Sequence, residues 1–209
     1  MRKCSRDYQV MLKIIFCRFS QVISSTFEYL CMIKRQIYFE LEIRCQQLQK
    51  NVGKKRSKAV REQFEIDNLL PEQENTLRKF LGGQNIFVNL PLGYGKSLIF
   101  QCLPIAADAL FEKPCGFSVL IVILPLRSLM EDQIRHVNNM GVPAITITDK
   151  DYVEIIQQVM NSNYVLVYGS PECLLSTESW RSIFHCQSFK EMLIGVAIDE
   201  AHCITQWYV

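Results

Sequence analysis

Ser118-Val-Leu-Ile-Val-Ile-Leu124 is the segment that most restricts how this chain can fold. Its six consecutive apolar residues, four of them β-branched, leave a strand no face to turn toward water. A strand of that kind must be covered on both sides, which in one chain means a parallel sheet with helices above and below. The flanking sequence supplies the other layers. Ile86–Leu90 reads as a strand and Lys96 to about Leu110 as a helix. Arg127 to about Met140 reads as a helix, Ala144–Thr148 as a strand, Tyr152–Met160 as a helix and Tyr164–Tyr168 as a strand. Leu193–Asp199 closes the series as a last strand. The β-α-β-α order predicts an α/β domain with a mostly parallel sheet, and ligands of such sheets bind at the carboxyl ends of strands.

At 209 residues there is room for one substantial domain and an appendage. Hydrophobic residues at 49% and charged residues at 21% exclude a disordered chain, and a net charge of +2 does not by itself point to a nucleic-acid partner. The nine cysteines form no Cys-x-x-Cys pair, and their scatter fits neither a zinc site nor a disulfide framework. They read as small core residues in a reducing compartment.

The first fifty residues are apolar but interrupted by Lys13, Arg18, Glu28, Lys34 and Arg35. No stretch there reaches the ~18 uncharged apolar residues of a spanning helix, nor the pattern of a secretory signal, so no membrane partner is expected. A mitochondrial-targeting reading of the early Arg and Lys ranks below a plain soluble extension. Phe27 to Leu48 has the pattern of an amphipathic helix, with partner binding as its functional reading. The basic run 51–62 reads as a linker or exposed arm. Nuclear localisation or phosphate contact is its functional alternative, and a solvated hinge is preferred. The expected organisation is a helical or disordered extension over 1–62 and an ordered domain over 63–209, incomplete at its C-terminal end.

Leu90-Pro-Leu-Gly-Tyr-Gly-Lys-Ser97 lies where a strand ends and a helix begins. Glycines allow a tight turn that aims backbone N–H groups inward, and the helix start adds free donors and a positive dipole end. Gly93, Tyr94, Gly95, Lys96 and Ser97 are therefore the candidate phosphate cradle, with Lys96 reaching phosphate and the Ser97 hydroxyl reaching Mg²⁺. Leu90 stands at the first glycine position of the strict pattern. The competing reading of a bare Gly-Lys-Ser is a capped helix start, and the strand before with the long helix after favours the cradle. Asp199-Glu200 ends the last apolar strand. Two acids at the tip of a buried strand need a reason, and a metal ion supplies one. Asp199 is the candidate Mg²⁺ ligand and Glu200 the candidate base for an attacking water, against the plain alternative of a solvated turn.

Asp199-Glu-Ala-His-Cys-Ile-Thr-Gln-Trp207 resembles motif II of RecQ-type DNA helicases. Leu124 to Gln133 resembles that family's motif Ia, Gly169-Ser-Pro-Glu172 its motif Ib, Leu90 to Gln101 its motif I, and Leu70-Pro-Glu-Gln73 the end of its motif 0. The likeness runs from about Phe64 to the last residue. It implies a RecA-like fold, ATP and Mg²⁺ as cofactors, and single-stranded or partly duplex DNA as partner. It further implies a nuclear role in DNA repair and recombination, the cytoplasm being the alternative location. By resemblance Gln73 bonds adenine and Lys96, Ser97, Asp199 and Glu200 carry phosphate, metal and hydrolysis. Pro125, Arg127, Ser128, Ser170 and Pro171 lie along DNA, and His202, Gln206 and Trp207 couple nucleotide to DNA. Gln133 reads as ordinary helix surface or core, and Trp207 equally as a core aromatic.

The sequence departs from that family at Leu92, where threonine is usual, and at Tyr94, where glycine is usual. Tyr94 is tolerated at negative φ but can crowd the phosphates. Ile66 and Leu70 replace the family's adenine-stacking aromatic and its arginine, which loosens nucleotide selectivity. The motifs stop after motif II, ahead of a second RecA-like domain and its arginine finger. Two readings follow: the ATP-binding domain of a 3′–5′ DNA helicase, or a module that binds nucleotide or DNA without turnover.

Overall fold

A computed structural model describes residues 58–147, 153–170, 173 and 186–200, together with the backbone of 12–17, 52–57 and 152. In chain order the elements are β1 (Leu12–Cys17), α1 (Val52–Phe64), α2 (Pro71–Leu81), β2 (Ile86–Leu90), α3 (Lys96–Phe111) and β3 (Val119–Ile123). They continue with α4 (Arg127–Asn139), β4 (Ala144–Thr146), α5 (Tyr152–Met160), β5 (Leu166–Gly169), α6 (Gln187–Met192) and β6 (Leu193–Ile198). One sheet of order β2-β1-β6-β3-β5-β4 joins all six strands. β3 runs parallel to β5 and β6, and β4 parallel to β5, as the strand-helix alternation predicts. The sheet is thus the helix-flanked, largely parallel one expected of a RecA-like domain.

The predicted two-faced burial of β3 is met residue by residue. Leu120, Val122 and Leu124 join one core with Leu77, Phe80, Ile99, Phe100 and Leu103 of α2 and α3. Val119 and Ile121 join a second core on the opposite face with Ile155 and Val159 of α5 and Phe189 of α6. Alternate residues of one strand therefore nucleate both layers. The turn before β3 is held by Asp108 of α3, whose carboxylate accepts N–H bonds from Gly116 (2.9 Å), Phe117 (3.2 Å) and Ser118 (2.9 Å). Burial pushes its pKa up while those N–H bonds pull it down.

Three features depart from the sequence reading. Residues 52–62 of the run expected as an exposed linker belong to α1, which packs on α3. Val60 and Phe64, four apart, are buried on one helix face, while Lys58 and Glu62 pair in solvent on the other. α2 went unrecognised because its polar opening Pro-Glu-Gln-Glu hides an apolar face of Leu77, Phe80 and Leu81. β1 is a strand, lies ahead of the expected boundary at 62, and enters the sheet between β2 and β6, antiparallel to both. The expected helix over 27–48 lies outside the described residues.

β1 matters for the site. Being antiparallel to both neighbours, it leaves β2 and β6 pointing the same way, about two strand spacings (roughly 10 Å) apart. The carboxyl ends of β2, β3, β5 and β6 therefore share one edge of the sheet.

Gly195 in β6 has φ +157, and a Cβ there would sit 2.5 Å from Cζ of the fully buried Phe80 ring. The ring of α2 rests directly on the strand backbone, so only glycine fits.

Candidate functional site

The segment between β2 and α3 is tied together by its own side chains. Gly95 caps α3 at φ 64, ψ 40, a left-handed conformation that glycine adopts without cost. Gly93 is also left-handed at φ 83. Tyr94 is not among the described residues with positive φ, so the strain feared from replacing a glycine does not arise. Its side chain and that of Leu92 are exposed, at 44% and 72%. Lys96 is buried and donates through Nζ to the carbonyls of Leu90 (2.9 Å) and Pro91 (2.7 Å). Ser97 is half-buried on the first turn of α3.

Gln73 braces this loop. Its Nε2 donates to the carbonyls of Tyr94 (3.0 Å) and Gly95 (3.3 Å), and its Oε1 accepts the Leu70 N–H at 2.9 Å. The amide thus closes the start of α2 and clamps the loop at once. A Cβ at Gly95 would lie 2.8 Å from Gln73 Nε2, the end of a side chain that moves aside only by giving up its bonds to the loop carbonyls.

Asp199 stands at the end of β6, its N–H bonded to the Ile123 carbonyl at 3.0 Å. It is 1% exposed. Oδ1 accepts the Glu200 N–H at 2.9 Å, and Oδ2 is buried without a hydrogen-bond partner. Burial raises its pKa to about 6, aided by Glu200 and opposed by the Glu200 N–H, Gln133 and the Lys96 charge. Glu200 has φ 53, left-handed for a non-glycine residue, a strain of order 1 kcal/mol at the second residue of the acidic pair.

The remaining candidates distribute along the same edge. Pro125 is half-buried, Arg127 and Ser128 are exposed at the start of α4, and Ser170 follows β5. Arg127 pairs with Glu131 in solvent at 3.1 Å. Pro171, His202, Gln206 and Trp207 lie outside the described residues. A cavity of about 490 Å³ opens beside Gly95 and Ser97, walled by Phe64, Ile66, Leu98, Gln101, Gln133 and His136 among others. Ile66, expected where an adenine-stacking aromatic would stand, is part of that wall.

Two polar residues gain importance that sequence reasoning did not give them. Gln133, read as surface or core, is only 9% exposed and its Oε1 is unpartnered. Tyr168, not singled out at all, is fully buried with an unpartnered hydroxyl. The spacing Met130, Gln133, Val137 marks one inward helix face and held the signal for Gln133.

No helix among the described residues is long and apolar enough to cross a membrane. A family model described as DEAD/DEAH box helicase matches residues 70–209. The chain is 32% identical over 154 residues to ATP-dependent DNA helicase Q1 of Rattus norvegicus, covering 71% of this chain and 23% of that protein. ATP-dependent helicase SGS1 of Saccharomyces cerevisiae is 32% identical over 152 residues, 71% of this chain and 10% of its own length. ATP-dependent DNA helicase RecQ of Haemophilus influenzae is 34% identical over 139 residues, 65% of this chain and 20% of its own. The chain therefore spans between a tenth and a quarter of the curated relatives it matches.

Proposed function

Because the chain belongs to the DEAD/DEAH box helicase family, we propose that it is the ATP-binding, first RecA-like domain of a RecQ-like 3′–5′ DNA helicase, driving unwinding of DNA in the nucleus. The observation that carries this reading is that Lys96, on its glycine-flanked loop after β2, and the buried, half-unpaired Asp199, at the end of β6, stand at one edge of the sheet. A buried carboxylate with one oxygen free is costly unless a cation is meant to meet it.

Magnesium fits the donors present. Asp199 Oδ2 and the Ser97 hydroxyl are hard oxygen donors, and no group of three or more His, Cys, Asp or Glu gathers among the described residues. The remaining ligands would then be phosphate oxygens and water. Bound Mg²⁺ offsets phosphate charge and polarises the bond to the terminal phosphoryl group. The chain's own groups do the rest. The N–H groups of residues 93–97 and the α3 dipole bind phosphate, and Lys96 leaves the Leu90 and Pro91 carbonyls to neutralise it. Glu200 takes a proton from the attacking water. Gln73 orders the loop and reads the adenine edge. Pro125, Arg127, Ser128, Ser170 and Pro171 hold single-stranded DNA through its backbone, without reading its sequence. His202, Gln206 and Trp207 couple the two ligands.

Binding of a fluorescent ADP analogue with Mg²⁺, followed by hydrolysis with and without single-stranded DNA, tests the proposal. Lys96→Ala should abolish nucleotide binding, and Glu200→Gln should preserve binding while stopping turnover. Unchanged nucleotide affinity in Lys96→Ala would refute it. Binding with no DNA-stimulated turnover in the wild-type chain would instead support the module reading, in which exposed Leu92 and Tyr94 alter the loop.

A further inference from the structure

Beneath the phosphate loop four buried polar side chains converge from four elements. Gln101 comes from α3, one turn beyond Ser97, Gln133 from α4, Tyr168 from β5 and Asp199 from the end of β6. Their exposures are 3%, 9%, 0% and 1%, so all four are largely withdrawn from bulk water, Gln101 and Gln133 at the wall of the cavity. Tyr168 is fixed by an edge-on contact with Phe100, ring centroids 6.4 Å apart, which leaves its hydroxyl as the adjustable part. Tyr168 and Ala197 both pair with Val122, so Tyr168 and Asp199 lie on one face of the sheet, and Gln101 and Gln133 both line the cavity beside Gly95 and Ser97. This placement leaves the cluster incomplete: Gln133 Oε1, Tyr168 Oη and Asp199 Oδ2 all lack partners.

Buried polar atoms are rarely left unpaired, and three together mark an arrangement held away from its best hydrogen bonding. A hydroxyl carries one proton to give, and here two acceptors without partners, Asp199 Oδ2 and Gln133 Oε1, belong to the same cluster. The structure holds the hydroxyl on neither acceptor, so a cation at Asp199 Oδ2 removes one of the two places its proton can go. The cluster thus admits two arrangements, one with Asp199 engaged and one with it free.

The elements that hold the movable members give those arrangements a readout. Tyr168 is two residues from Ser170, and Gln133 stands on the helix that opens with Arg127 and Ser128. These are the loops assigned to DNA above. We propose that Tyr168 and Gln133 are positioning residues that couple the two ligands, passing the engagement of Asp199 to the β5 and α4 loops. This rests on the ATP- and DNA-binding reading of the site, and adds to it a route through the domain interior separate from His202, Gln206 and Trp207.

Coupling of this kind is reciprocal and is measured as a ratio of affinities. The full chain is titrated with a fluorescent ADP analogue and Mg²⁺, in the absence and presence of a saturating thymidine oligonucleotide. The wild-type ratio should depart from one by roughly five-fold or more. Tyr168→Phe and Gln133→Met should each bring the ratio toward one while leaving the separate affinities for nucleotide and oligonucleotide within about two-fold. Variants acting on one relay should not add, so the double variant should match either single one. A merely structural role would weaken both separate affinities instead and overturn the proposal. So would a wild-type ratio retained in both single variants, with nucleotide and DNA binding themselves intact. Loss of nucleotide binding in the wild-type chain would remove the premise and the proposal together.

Discussion

Asp199→Asn should make the protein more stable in the absence of metal and nucleotide. Its carboxyl has a folded-state pKa of about 6 against an ordinary 3.8, and the leading cause is burial. At 1.36 kcal/mol per unit, the two-unit rise corresponds to about 3 kcal/mol of destabilisation by the buried charge. The sign follows from proton binding. Between pH 4 and 6 the folded state holds a proton that the unfolded chain has released, so wild-type stability from this group rises as pH falls through 6. The penalty is complete above pH 6 and gone below about 4. Asparagine keeps an oxygen for the Glu200 N–H and replaces the unpartnered Oδ2 with a donor in the cluster that holds the unpartnered Gln133 Oε1. Urea unfolding in EDTA should show Asp199→Asn ahead by about 2–3 kcal/mol at pH 7.5, the gap closing toward pH 4. The same variant should lose Mg²⁺-dependent nucleotide affinity. A variant less stable than wild type at pH 7.5, or a gap independent of pH, would refute the reasoning.

Gly195→Ala should destabilise by about 1–3 kcal/mol through the contact of its Cβ with Phe80, and Phe80→Leu should recover part of that loss in a double-mutant cycle read by chemical denaturation. Asp108→Ala leaves three N–H groups at the entry to β3 without their acceptor and should cost about 2–3 kcal/mol by thermal unfolding, with nucleotide affinity retained in the folded fraction. Gly95→Ala meets Gln73 Nε2 and must also hold φ 64, so it should loosen the phosphate loop and weaken Mg·nucleotide binding tenfold or more by fluorescence titration, with a smaller loss of stability.

The parts legible in the sequence were those written in local pattern. β3 announced itself by an uninterrupted apolar run, and α3 by its glycine-flanked start and apolar length. The positions of Lys96 and Asp199 were legible because the one opens such a helix and the other follows such a strand, both at the carboxyl edge of the sheet. The missed parts depend on partners distant in the chain. α1 carries five Lys and Arg among its thirteen residues, and only packing on α3 gives Val60 and Phe64 their meaning. Gln73 was linked to adenine, while its bonds to the Tyr94 and Gly95 carbonyls needed two helices in place. The cluster at Gln133 and Tyr168 was invisible for the same reason: four elements contribute, and no spacing within one segment encodes it.

β1 has a consequence for how the domain is reached as well as for what it is. It pairs Ile15 with Ile198 and Leu12 with Leu90, contacts 183 and 78 residues apart in the chain. Closing such long loops is entropically expensive and comes late in folding. Until it happens, β2 and β6 each present an unpaired strand edge, the kind of surface on which another chain can add. Synthesis rate and chaperone capture during that interval should therefore govern the yield of native protein more strongly than the stability of the finished sheet.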